Sequence, residues 1–148
     1  MVTGDARYLE RWRDLRHLLN GEWIIYILVA LSAGPLHYKE LHAAIQESIT
    51  FDPWSGSVRK IGGRALGRTL RRLEAGGMIL RHEERVFPRS VVYSITPAAT
   101  DLLARAQTIA DWAEEHLDLF EQLRSAQLES NGHRGPSDSE PPDDDDLD

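Results

Sequence analysis

Residues 60–74 show the sharpest separation of apolar and polar positions in the chain. On a helix, three leucines fall on one face and three arginines on the opposite face. The two sets are Leu66, Leu70 and Leu73, and Arg64, Arg68 and Arg71. Gly67 lies between the arginines and lets the helix backbone approach a bound molecule. The pattern predicts an amphipathic helix with a core face and a cationic face, ending at Gly76-Gly77.

The cationic face has two interpretations. Arginine donates two parallel hydrogen bonds to phosphate or to the O6 and N7 atoms of guanine, which favours a helix that binds in a DNA groove. The alternative is an ordinary solvated basic face. Two strand-like segments, 78–85 and 90–95, follow this helix and predict a hairpin with Arg85 and Arg89 near its tip. A basic helix followed by a hairpin is the arrangement of a winged helix, which favours the first interpretation.

Three further helices are predicted before the cationic one. Residues 5–19 carry apolar side chains at helical spacing, and residues 23–33 are apolar on nearly all sides, so the second helix is expected in the centre of the core. A third helix begins near residue 36. Its His37 and Lys39 are expected to point outward and, with Lys60, to hold backbone phosphates.

A last, long helix is predicted from the N-cap Thr96 to about Leu123. It carries more apolar surface than a small winged-helix core can cover. We therefore expect part of this surface, together with the first helix, to pack against a second copy of the chain. The alternative is a helix that folds back over its own domain. The residues expected in the dimer interface are Trp12, Leu15, Ile109, Trp112, Ala113 and Phe120.

Two segments lack a sustained period. Residues 46–59 predict a loop whose Phe51 and Trp54 either pack back onto the body as a small cluster, line a ligand pocket or touch DNA. Residues 126–148 are polar, acidic and proline-bearing, and are expected to be a disordered tail. The tail is either a solubilising appendage or a mimic of DNA that competes for the basic face. One folded domain is therefore expected over residues 1–125.

Charge is divided unevenly along the 148 residues. The net charge is −7, yet residues 1–128 contain sixteen basic and sixteen acidic side chains, so the whole excess lies in the tail. Residues 59–89 contain nine basic and three acidic side chains, a local net charge of +6. One electropositive region in a domain whose net charge is zero is the footprint expected of a protein that binds phosphate.

Several other classes of function find little support. The absence of cysteine excludes disulfides and thiolate metal sites, and His37 and His42 lie about 140° apart on a helix, which disfavours a shared metal ion. The sequence contains neither a phosphate-cradling glycine loop nor a pair of carboxylates in an apolar setting, so these indications of an enzyme are missing. We expect no metal and no cofactor. Because no apolar run is long enough to span a bilayer, we also expect a soluble, cytoplasmic protein.

The order of these elements resembles the HxlR-type family of bacterial winged helix-turn-helix transcription regulators. The resemblance covers roughly residues 18–116 and rests on five short motifs, in residues 21–28, 34–41, 61–77, 88–96 and 112–116. It implies a homodimer that binds an inverted repeat near a promoter. The loop before the cationic helix is about a dozen residues longer than the tight turn usual in the family, so that helix is expected to be displaced or mobile. Cysteines that serve some members as sensors are absent.

The expected fold is therefore α+β and mostly helical: a winged helix-turn-helix domain with a two-stranded wing and dimerisation helices at both ends. The expected function is sequence-specific regulation of transcription on double-stranded DNA. Base contacts are not separated from phosphate contacts by the sequence. The eight residues expected to bind DNA are His37, Lys39, Lys60, Arg64, Arg68, Arg71, Arg85 and Arg89. The alternative is a winged-helix module that binds protein and has lost DNA binding.

Overall fold

The structure is a computed structural model and describes residues 5–132. The chain divides into two compact units, Met1–Thr108 and Ile109–Asp148. The elements are α1 (Ala6–Leu18), α2 (Ile24–Ser32), β1 (Leu36–His37), α3 (Tyr38–Ser48), α4 (Gly63–Ala75), β2 (Ile79–Glu84), β3 (Ser90–Ile95), α5 (Pro97–Glu115) and α6 (Leu117–Gly132). The order confirms a mostly helical α+β winged helix-turn-helix fold.

The core of the first unit forms around one side of α2. Its fully buried side chains pack with those of α3 and α4; they are Ile24, Ile27, Leu28, Leu31, Leu41, Ile45, Leu66, Leu70 and Leu73. The expectation that α2 is covered on all sides is wrong, because Ile25 and Val29 are exposed. An apolar helix in a domain this small has neighbours on only one side. The other side of α2 remains on the surface.

Three antiparallel strands form the sheet in the order β1-β3-β2. The pairing of β2 with β3 runs from Ile79↔Ile95 to Glu84↔Ser90 and confirms the predicted hairpin. The two-residue strand β1 pairs with the other edge of β3 and was not predicted, since two residues are too short to show a period. The Thr96 hydroxyl donates to the carbonyl oxygens of Gly77 and Met78 and accepts from the Ala99 N–H, which holds the start of α5 against the base of the wing.

The single long helix expected at the C-terminal end is wrong in two respects. It is interrupted at His116, where the backbone N–H donates to the Ala113 carbonyl three residues back and the ring Nδ1 lies 2.7 Å from the Trp112 carbonyl oxygen. Stacking of the His116 ring on Trp112 at a centroid distance of 4.7 Å accompanies this break. Helix α6 then continues past residue 125 to Gly132, so the expected start of the tail at 126 is too early. The remainder of the tail lies outside the described residues.

No helix within residues 5–132 is both long enough and apolar enough to cross a bilayer.

Candidate nucleic-acid interface

Helix α4 presents a shallow hollow whose floor is glycine and whose walls are arginine. The lining residues are Gly63, Arg64, Gly67, Arg68 and Arg71. The leucines on the opposite face are fully buried, so burial of that face fixes the direction in which the arginines point. Gly77, with a φ of 72°, ends the helix in the left-handed conformation that a side chain would disfavour. The amphipathic prediction for this helix is confirmed.

Most of the cations expected to bind DNA are free of partners in the part of the chain that the structure describes. Seven of them form neither an ion pair nor a side-chain hydrogen bond there: Lys39, Lys60, Arg64, Arg68, Arg71, Arg85 and Arg89. All seven are exposed. An unpaired guanidinium keeps its five N–H donors for an incoming ligand, and phosphate is the ligand that its planar fork suits best. The exposed face formed by these cations can therefore bind an anionic ligand.

Three hydrogen bonds from α3 hold the segment that leads into α4. Gln46 Oε1 accepts from the Ile61 N–H at 3.3 Å, and the Tyr38 hydroxyl donates to the Gly63 carbonyl at 3.3 Å. His42 Nε2 lies 3.0 Å from the Ile61 carbonyl oxygen and donates to it in the tautomer protonated there. His42 thus contacts the backbone of its own chain. These contacts anchor the start of α4 although the preceding loop is long.

Arg72 has a positioning role that the sequence did not indicate. Its guanidinium donates to the backbone carbonyl oxygens of His17, Leu18 and Asn20, at the carboxyl end of α1. The last carbonyls of a helix have no partner within the helix, and a cation there also complements the helix dipole. The residue lies about 100° around the helix from Arg71, off the cationic face. This positioning role is visible only in the structure, because the residues that Arg72 contacts are more than fifty positions away in the sequence.

His37 and Lys39 lie at the start of α3, and their surroundings differ. His37 is the N-cap residue; its backbone N–H donates to Glu40 Oε1 at 3.0 Å, and its ring Nε2 lies 3.9 Å from the same oxygen. A carboxylate beside the imidazole opposes approach of a phosphate to it. Lys39 is exposed and lines a shallow hollow with Tyr38, His42 and Gly63. Lys39 is therefore the better placed of the two for a phosphate contact.

The wing uses its acidic side chains internally. Arg81 pairs with Glu83 at 2.8 Å, and hydrogen bonds to Glu83 and then Tyr93 raise the pKa of Arg81. The Ser90 hydroxyl donates to Glu84 at 2.5 Å. The arginines at the tip, Arg85 and Arg89, are exposed as predicted. Neither carboxylate is paired with a tip arginine, so Arg85 and Arg89 keep their donors for another molecule.

The loop between α3 and α4 does not pack as expected. Phe51 is 60% exposed, Trp54 is also exposed, and neither belongs to the core cluster, so a packed aromatic cluster is wrong. Asp52 organises the loop by pairing with Ser57 and accepting from the Trp54 N–H at 2.9 Å. Hydrogen bonds from the Ser55 hydroxyl and from Trp54 lower the pKa of Asp52. Residues 52–57 thus form a turn held by its own hydrogen bonds, and both aromatic rings of the loop lie in solvent.

The residues expected in a dimer interface remain at least partly accessible. Within the first unit, Trp12 of α1 is exposed and Leu15 is partly buried. Within the second unit, Ile109 is 59% exposed, Trp112 is exposed, and Ala113 and Phe120 are partly buried. Trp112 packs edge-on against Phe120 at a centroid distance of 6.0 Å. Each unit therefore carries apolar surface that its own residues leave uncovered.

Helices α3 and α4, the hairpin that follows them, and the unpaired cations on the helices and on the hairpin define a winged helix-turn-helix DNA-binding protein. The sequence matches the HxlR-like helix-turn-helix family over residues 18–121, and the chain belongs to that family. An HTH-type transcriptional regulator of Methanothermobacter thermautotrophicus is 25% identical over 133 residues, which cover 90% of this chain and 86% of the relative. One from Halalkalibacterium halodurans is 30% identical over 96 residues, covering 64% and 74%.

A solved structure shows a similar fold. The reduced form of the transcriptional regulator YodB from B. subtilis is 25% identical, with a TM-score of 0.57 over 71% of this chain and 90% of YodB. Family and relatives are transcriptional regulators rather than enzymes. The chain is accordingly a DNA-binding helix-turn-helix regulator.

Proposed function

We propose that the protein is a homodimer that recognises an inverted-repeat operator in double-stranded DNA. The observation that carries the proposal is the row of unpaired arginines on α4, fixed outward by the buried leucines behind them. Two copies of α4, related by a two-fold axis, enter successive major grooves about 34–36 Å apart. The two-fold symmetry of the protein then matches the symmetry of an inverted repeat.

Within each copy, the cations divide into three sets by position. Arg64 and Arg68, nearest the start of α4, reach base edges, because the first turns of a recognition helix lie deepest in the groove. Arg71 contacts the groove edge. The gap left by Gly67 lets the backbone come close to the bases. The residues that hold the phosphate backbone are Lys39, Lys60, Arg85 and Arg89, with His37 in a lesser part because of Glu40.

A second copy is the occupant that best fits the apolar side chains of α5 and α6. Apolar residues are exposed on both helices, among them Ile109, Trp112, Leu117, Leu123 and Leu128. Closed two-fold dimers are the commonest assemblies of soluble proteins, and an inverted repeat requires two reading heads. Trp12 and Leu15 of α1 are proposed as a further contact between the two copies.

A salt titration of DNA binding tests the electrostatic part. Affinity for a DNA duplex selected by the protein should fall by orders of magnitude between roughly 50 and 200 mM salt. Arg68→Ala should lower affinity by about 1–3 kcal/mol if the side chain reads a base. Arg105→Ala is the matched control, since Arg105 is an exposed arginine of α5 that is paired with Asp101. That variant should bind as the unaltered protein does.

A flat salt response, with no retention on heparin, would contradict the proposal and favour the interaction module without DNA binding. The assembly is tested separately by sedimentation equilibrium of the full chain. A monomer at micromolar concentration would remove the inverted repeat from the proposal.

A further inference from the structure

The tip of the wing places apolar side chains between two arginines. Phe87 is 92% exposed and Val86 is 79% exposed, with Arg85 on one side and Arg89 on the other. Within the described residues, the Phe87 ring packs on no other aromatic ring. The largest apolar side chain of the wing is thus held in water at its outermost point.

The tip is supported rather than free. The ladder between β2 and β3 continues without a break to Glu84↔Ser90, directly below the tip, and the Ser90 hydroxyl bonds to the Glu84 carboxylate there. Strand β3 is also paired on its other edge with β1. A projecting segment on a three-stranded base loses less conformational freedom on binding than an open loop does.

The two arginines at the tip favour a polyanionic partner over an apolar one. Glu83 and Glu84 are engaged within the wing, whereas Arg85 and Arg89 have no partner in the described residues. An apolar protein groove would leave two guanidiniums to be desolvated, at a cost, whereas a polyanion binds them. The minor groove of DNA is the polyanionic surface that also accepts apolar side chains, between base steps. DNA can therefore bind both the arginines and the apolar side chains of the tip.

We propose that Phe87 is a wedge that partly unstacks a base step in the minor groove beside the half-site, while Arg85 and Arg89 neutralise the phosphates on either side of it. The proposal rests on the DNA binding proposed above and adds a specificity-determining residue to it. The unstacked step bends the duplex. Because pyrimidine–purine steps unstack most easily, the operator carries a preference for TA or CA at a position that no side chain reads by hydrogen bonds.

The experiment uses the full chain and a duplex enriched by it from a random-sequence pool. Failure of the pool to enrich would count against DNA recognition itself, before Phe87 is tested. With an enriched duplex, energy transfer between dyes at the two ends measures bending. The fluorescence of 2-aminopurine, placed at each flanking step in turn, measures unstacking.

Phe87→Ala should abolish both the bend and the 2-aminopurine signal and weaken binding by roughly 5- to 150-fold, the range expected for loss of one aromatic–base contact. Its dependence on salt should stay unchanged, since no charge is lost. Phe87→Trp should restore all three readouts. Arg85→Ala should show the opposite pattern, with the salt slope reduced by about 1 and the unstacking signal retained.

Val29→Ala is the control, because Val29 is an exposed apolar side chain of α2, outside the wing; it should leave binding and bending unchanged. Thermal unfolding of Phe87→Ala should match that of the unaltered protein, since the ring contributes nothing to the core. Unstacking and bending that persist in Phe87→Ala would overturn the wedge. So would an enriched complex of the unaltered protein that shows neither signal.

Discussion

Helices α4 and α5 are both amphipathic, but their apolar faces have different fates. The leucines of α4 are fully buried against α2 and α3, whereas Ala99 is the only buried residue that α5 contributes within the described chain. The apolar face of α4 is covered by its own chain, and its polar face is the one proposed to bind DNA. The apolar side chains of α5 that stay exposed are proposed to pack against a second copy. If both proposals hold, folding of the first unit and assembly of the dimer are separable.

Truncation of a core leucine on α4 should give the largest effect. Leu70→Ala removes a side chain that is 1% exposed, and we expect the free energy of unfolding to fall by about 2–5 kcal/mol. Chemical denaturation followed by circular dichroism measures the change. The control is Leu80→Ala on the outer face of β2, where the side chain is exposed and the loss should stay below about 0.5 kcal/mol. Equal losses at the two positions would contradict the different burial of these leucines.

A charge on the apolar face of α5 should have an intermediate effect on assembly. Ile109→Asp places a carboxylate in the proposed interface, and we expect the dimer to weaken by about 2 kcal/mol or more, the size of an interface hot spot. Sedimentation equilibrium measures dimerisation, and circular dichroism should show an intact monomer. Ala104→Asp adds the same charge about 140° around α5 and should leave the dimer unchanged. Dissociation by both variants, or by neither, would remove this face from the interface.

The smallest effect is expected from a substitution of Gly67 on α4, which should raise stability and lower DNA affinity. Gly67→Ala should stabilise the protein by roughly 0.5–1 kcal/mol, since alanine favours a helix and its Cβ would meet only Arg71 Nη1 at an ordinary 3.5 Å. The added methyl group fills the hollow between the arginines, so DNA affinity should fall. Thermal unfolding and a gel shift measure the two changes. Gly132→Ala, in α6, should leave DNA affinity as it was; a Gly67→Ala protein that binds DNA equally well would show that the backbone does not approach the bases.

The helices and the hairpin were predictable because short-range patterns specify them. Leucine spacing and a glycine pair were enough to place α4, and β-branched residues on both sides of a turn were enough to place the wing. The break at His116 was not predictable, since residues 112–120 contain neither glycine nor proline. The exposure of Ile25 was missed for another reason: an apolar pattern reports what a side chain prefers, and not whether the fold supplies a neighbour.

The candidate site divides in the same way. The outward arginines follow from the helical period alone. The contacts that position them do not, because His42, Gln46 and Tyr38 reach backbone atoms 15 to 25 residues away. Such partners depend on how the loop returns to α3, and a periodic pattern carries no information about that path.

The contact of Arg72 with the end of α1 also constrains how the protein can change over evolutionary time. One side chain serves three carbonyl oxygens of another helix, and lysine, with a single nitrogen and no planar fork, cannot reproduce that geometry. In the proposed complex, the arginines of the DNA-binding face can be exchanged as operators diverge, because each exchange alters recognition alone. A change at position 72 alters the attachment of α4 to α1, whichever DNA sequence the protein binds. We therefore expect this position to vary less among descendants of this chain than its neighbours on the DNA face.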